Sequence, residues 1–75
     1  MANPNFSTAH VPNATTFREF ARLADQWGGY AVVTRDGRRL VASMAAIARL
    51  DYADEVEYTV HLVHGRIVTV PASDR

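Results

Sequence analysis

The sequence predicts an α+β fold: an amphipathic helix followed by two antiparallel β-hairpins with a short intervening helix, the first helix packed on one face of the sheet. Three observations carry this. Asp36-Gly37 and His64-Gly65 each sit between apolar runs, as hairpin turns do. Residues 16–27 place apolar side chains at spacings of three and four, the period of a helix. From Val56 onward the spacing switches to two, the period of a strand.

Residues 1–14 carry Asn-Pro-Asn and Val-Pro-Asn with scattered Ser and Thr, and read as an irregular N-terminal arm; residues 15–75 read as a single small α+β domain. Thr16-Phe17-Arg18-Glu19 fits a capping box, in which the Thr16 hydroxyl accepts from the Glu19 backbone and the Glu19 carboxylate reaches back. Phe17, Phe20, Ala21, Ala24 and Trp27 then form one apolar stripe expected in the core, and Gly28-Gly29 stops the helix.

Residues 30–35 and 38–42 flank Asp36-Gly37. A two-residue type I′ turn there would set Val33 opposite Leu40 and Ala31 opposite Ala42 on one face, with Val32 opposite Val41 and Thr34 opposite Arg39 on the other. Both faces are then apolar, and one helix covers only one of them, so the face with Val32 and Val41 calls for the second hairpin or another chain. Residues 43–50 begin with a capping Ser43 and continue in strong helix formers, a short helix. In the last strand pair, Val56, Tyr58, Val60 and Leu62 alternate with Glu57, Thr59, His61 and Val63; the chain turns at His64-Gly65, and Pro71, which has no N–H, ends the pairing. Residues 72–75 are expected to fray.

Composition narrows function by exclusion. A 75-residue chain without cysteine has no disulfide, thiolate zinc site or Cys nucleophile, which fits a reducing, cytoplasmic setting. No stretch approaches the ~20 apolar residues of a membrane span. His61 and His64 lie three apart at a strand end and turn and lack a third ligand, and Ser43, His61 and Asp51 lack a nucleophile elbow. The expectation is a non-catalytic protein with no metal and no cofactor.

Net charge is zero, but its distribution is uneven. Residues 18–49 hold six Arg against Glu19, Asp25 and Asp36, while residues 51–75 hold Asp51, Asp54, Glu55, Glu57 and Asp74 against Arg66 and Arg75. All basic residues are Arg, whose planar fork suits carboxylate and phosphate. The leading reading is a small accessory or inhibitor-type regulatory module, of the kind mobile elements and phages encode. It would dock on a basic partner protein through sheet surface and the acidic segment, with Tyr30, Val32, Val41, Asp51, Asp54, Glu55 and Glu57 as interface residues, and a homodimer seam at Val32 and Val41.

The alternative rests on a resemblance. The run 16–25, then Gly28-Gly29, then Ala31-Val32-Val33-Thr34-Arg35-Asp36-Gly37-Arg38-Arg39-Leu40-Val41-Ala42 and a short helix, about residues 16–50 in all, resembles the N-terminal part of Phd/YefM-type antitoxins. Those proteins set a helix before a hairpin containing Thr-Arg-x-Gly, dimerise through it, bind operator DNA with basic residues of that half and wrap a toxin with a C-terminal arm. The resemblance implies a dimeric DNA-binding regulator contacting nucleic acid through Arg18 and Arg22, with Arg35, Arg38 and Arg39 in the same basic half. Residues 56–70 depart from that family, reading as a second hairpin where it offers a toxin-binding arm.

Overall fold

A computed structural model describes residues 8–72 of the chain. In order, the elements are β1 (Thr8–Val11), α1 (Phe17–Trp27), β2 (Tyr30–Thr34), β3 (Arg39–Ala42), α2 (Met44–Tyr52), β4 (Val56–Val63) and β5 (Arg66–Pro71). The five strands form one antiparallel sheet in the order β1-β3-β2-β4-β5. The helices lie on opposite faces, so the domain has three layers rather than a helix on one side only.

Residues 1–7 of the expected N-terminal arm, and 73–75 of the expected frayed tail, fall outside the described residues. Within the arm, residues 8–11 are a strand and not irregular. Thr8, Ala9, His10 and Val11 alternate polar with apolar and pair with Ala42, Val41, Leu40 and Arg39, and Val11 is buried. The flanking prolines obscure that alternation in the sequence, but Pro12 lies just past the strand, in a turn closed by Thr15 N–H on Pro12 O at 3.0 Å. Ala72 is not frayed either: it is half-buried against the core and donates to Glu57 O at 3.0 Å.

α1 starts on the predicted Thr16 cap, whose Oγ1 accepts from Glu19 N–H at 3.2 Å; the Glu19 carboxylate, expected to reach back to the cap, lies 3.7 Å from Arg22. Gly28 at φ 74° closes the helix in the left-handed region. Gly29 serves a different need. A Cβ there would stand 2.1 Å from Ala42 O, so only glycine lets the chain pass the end of β3. Phe20, Ala21 and Ala24 are buried on the sheet, whereas Trp27, expected in the core, is 41% exposed. The stripe's phase is right, but its last member sits where α1 turns away at Gly28, and the indole is not among the side chains packed on the core.

The first hairpin turns differently from the expected type I′. Gly37 N–H bonds Thr34 O at 2.9 Å and Thr34 N–H bonds Arg38 O at 2.9 Å, a three-residue connection in which Gly37 alone has positive φ. Thr34 holds it: its hydroxyl bonds the Asp36 carboxylate and accepts from Arg38 N–H at 3.0 Å. The extra residue slips the register by one, so Ala31 faces Val41 and Val32 faces Leu40. Val33 and Val41 therefore join Ala31, Val11, Val60 and Phe20 under α1, while Val32, Leu40, Ala42 and Val56 meet Ala46 under α2. The apolar second face, expected to be covered by the second hairpin or another chain, is covered by α2.

A second shift places β4. Val33 pairs with Tyr58 but Thr34 with Val56, so Glu57 is an extra residue, a β-bulge. Val56 consequently faces α2, whereas Tyr58, Val60 and Leu62 face α1, in place of a single face for all four. The His64-Gly65 turn is as the sequence reads, with both residues at positive φ (52° and 77°).

Candidate functional site

α2 packs against β2 and β3, and its cover ends at Val56. Farther out, no helix among the described residues packs on the α2 side of the β4–β5 hairpin. Along that side the backbone alternation presents Thr59, His61 and Val63 from β4, and Arg66, Val68 and Val70 from β5. Every residue of β5 is exposed: Ile67 is 41%, Val68 37% and Val70 48% accessible, with Val63 at 45%. β5 is also the last strand of the sheet, so its outer backbone edge is unpaired among the described residues.

Between α2 and this hairpin runs a shallow groove of about 260 Å³, walled by Tyr30, Ile47, Asp51, Val56, Thr59 and Val70. Tyr30 stands at its head, edge-on to His61 with ring centroids 6.2 Å apart, and Thr59 Oγ1 lies 2.8 Å from His61 Nε2. The same Tyr30 and His61 border a second cleft of about 300 Å³ on the α1 side, with Arg22 and Asp25. That side of the hairpin thus sets an apolar residue beside a polar one at each step, Val70 with Thr59, Val68 with His61 and Val63 with Arg66, a mixture of exposed valines and hydrogen-bonding groups suited to docking. Among the described residues no three His, Cys, Asp or Glu side chains gather where they could hold a metal ion. No described helix is long and apolar enough to cross a membrane.

The basic and acidic halves of the chain meet at the opposite end of β2. Arg35 donates from Nε to Asp54 O at 3.0 Å and from Nη2 to Asp54 Oδ1 at 2.9 Å. Arg38 lies 2.9 Å from the Asp36 carboxylate and 4.0 Å from that of Glu55. Asp54 accepts this role by adopting a left-handed backbone at φ 59°. The Thr34 hydroxyl, and after it the Arg38 guanidinium, hold the Asp36 carboxyl below its ordinary pKa by hydrogen-bonding its charged form. Arg39 donates to the carbonyls of Asn13 and Thr15 and lies 4.6 Å over the Phe17 ring, fastening the β1–α1 connection to β3. Arg18 donates to Gly65 O at 3.1 Å and Arg22 stands 3.7 Å from Glu19.

The residues expected to form an interface therefore separate. Val32 and Val41 are buried on opposite faces of the sheet and form no shared seam, because the three-residue turn changed their register. Tyr30 and Asp51 line the groove, Glu57 is exposed at the β4 bulge, and Asp54 and Glu55 face arginines. The exposed apolar residues of β5 were missed as a surface. Their signal is Ile67-Val68-Thr69-Val70, apolar in consecutive positions where a strand with one buried face would alternate.

No protein-family model, curated protein sequence or solved structure matches this chain.

Proposed function

We propose that this protein is a small, non-catalytic binding module that docks on a partner protein through the outer face and edge of its β4–β5 hairpin. One observation carries the reading: the last strand of the sheet exposes Ile67, Val68 and Val70 on its two faces, in a domain whose other apolar strand residues are largely covered by α1 or α2. A soluble domain that leaves such a strand bare exposes an edge onto which another chain can add. The groove beside it, with Tyr30 and Thr59, supplies shape and polar contacts for side chains of that partner.

The charge layout supports docking by apolar contact more than by electrostatic attraction. Arg18, Arg22, Arg35, Arg38 and Arg39 each have a carbonyl or carboxylate partner within the chain, so their first role is to tie connections to the sheet. The acidic pair Asp54 and Glu55 answers two of them. This arrangement favours neither an acidic patch seeking a basic partner nor a basic patch seeking phosphate.

Site-specific photo-cross-linking tests the proposal. A benzoylphenylalanine in place of Val68 should yield a discrete adduct with a partner protein in extracts of the source cell, competed by the unmodified protein and not by Val68→Lys. The same probe in place of Gln26, on the exposed side of α1, should yield none. Adducts of equal pattern from both positions, or competition by Val68→Lys as effective as by the unmodified protein, would refute it.

A further inference from the structure

The free edge of β5 has a polarity that the ladder to β4 fixes. Val63 pairs with Arg66, His61 with Val68 and Thr59 with Val70, and Ala72 N–H donates to Glu57 O at 3.0 Å. Backbone groups alternate sides along a strand, so residues 66, 68, 70 and 72 turn theirs toward β4, and Ile67, Thr69 and Pro71 turn theirs outward. Pro71 has no N–H, so the outward donors of the strand are those of Ile67 and Thr69.

We infer that β5 pairs antiparallel with β5 of a second copy of this chain, about a twofold axis through Val68, joining two five-stranded sheets into one. The inference rests on the docking reading of the hairpin and names its occupant. In this register Ile67 of one copy stands opposite Thr69 of the other, and the two exchange both outward N–H groups and both carbonyls. Val68 meets Val68 at the axis in a non-hydrogen-bonded pair, where cross-strand side chains come closest and two β-branched residues pack well. A twofold through Thr69 would instead set Ile67 opposite Pro71, which cannot donate, and leave the Ile67 carbonyl unpaired.

Charge points the same way. Arg66 shares the groove-side face of β5 with Val68 and Val70, and the twofold through Val68 puts it opposite Val70 of the second copy. Val70 and Asp51 both line the groove of their own copy. Each Arg66 is thereby brought to the rim of the other copy's groove, whose lining includes Asp51, once on each side of the axis. A six-residue strand pair is smaller than the roughly 800 Å² per partner of a standard interface, so the dimer is a reversible one.

Sedimentation equilibrium of the purified chain from about 1 to 500 µM reads the association directly, in the range where small interfaces form. A monomer–dimer equilibrium is expected. Thr69→Pro removes an outward donor from each copy and leaves the β4 ladder intact, and should weaken the dimer by about tenfold or more. Val68→Lys sets like charges on the axis and should do the same. Arg66→Glu should weaken the dimer, and adding Asp51→Arg should recover part of the loss. Two-dimensional NMR spectra confirm that each variant is folded. A monomer throughout the range, or a dimer indifferent to both Thr69→Pro and Val68→Lys, would overturn the inference. A monomeric protein that still gives the position-68 adduct with a foreign protein overturns the second copy as occupant and leaves the docking reading standing. A Thr69→Pro-sensitive dimer without foreign adducts keeps the inference and limits the docking reading to the second copy.

Discussion

Replacing Val32 by Glu and Val68 by Lys separates the face of the sheet that is core from the one that is free. Val32 is fully buried between β3 and β4 beneath α2. Removing its side chain from the core forfeits about 1.5–3 kcal/mol of apolar burial, and a carboxylate left there without a partner adds several kcal/mol of desolvation. At ~0.05–0.15 kcal/mol per residue, a 75-residue domain has roughly 4–11 kcal/mol in all. Val32→Glu should therefore be unfolded or close to it at neutral pH. Val68 is 37% exposed on an edge strand, where exchange for Lys costs at most about 1 kcal/mol of strand preference. Urea titration followed by circular dichroism measures both. A cooperatively folded Val32→Glu with a midpoint near that of the unsubstituted protein would refute the placement of α2 over the sheet, and would revive a seam through Val32.

Three further outcomes are expected. Gly29→Ala should cost about 1–3 kcal/mol by overpacking, because its Cβ would meet Ala42 O at 2.1 Å and the nearest atoms around it are all backbone; a thermal midpoint equal to the unsubstituted protein's would mean the corner has slack. Trp27→Ala should cost about 1 kcal/mol, well short of the ~3–5 kcal/mol typical of a buried tryptophan, and a larger loss in urea titration would place the indole in the core. The Asp36 carboxyl is lowered in the folded state, so its stabilising contribution is complete above the ordinary carboxylate pKa of ~3.9 and is lost as pH falls through the folded-state value. Asp36→Asn should accordingly be less stable than the parent at neutral pH and converge with it in acid, and a stability difference independent of pH would refute that account.

The elements were legible in the sequence because each is written in local chemistry: Thr16 and Ser43 cap the helices, Gly28 ends the first, and His64-Gly65 turns the last hairpin. What was not legible is parity. One residue added at the first turn, through the Thr34 hydroxyl's hold on Asp36 and Arg38, moves Val32 and Val41 to opposite faces, and one added at Glu57 moves Val56 away from Val60. A period of two has no tolerance for such insertions, since a slip of one residue reverses every side chain beyond it. The sequence pattern alone does not distinguish a two-residue Asp-Gly turn from a three-residue one ending in the same glycine.

The same limit governs the site. Charges read along the chain as a basic half and an acidic half imply two surfaces, yet the hairpin and the α2–β4 connection fold Arg35 and Arg38 onto Asp54 and Glu55. Exposed ion pairs of this kind contribute about 0–1 kcal/mol each, so their larger effect here is to cancel the field each half would otherwise project. With that field cancelled, long-range steering is weak and recognition falls to short-range contact. The residues left to provide it are the exposed apolar side chains of the β4–β5 hairpin: Val63, Ile67, Val68 and Val70 at the end of a sheet whose order puts its most apolar exposed strand at the edge. An edge strand flanked by Arg66 and Pro71 carries two features that limit unregulated strand addition, a charge at one end and a missing donor at the other. They leave Ile67 and Thr69 as the only outward backbone donors of β5, which restricts the edge to a short partner strand in a defined register.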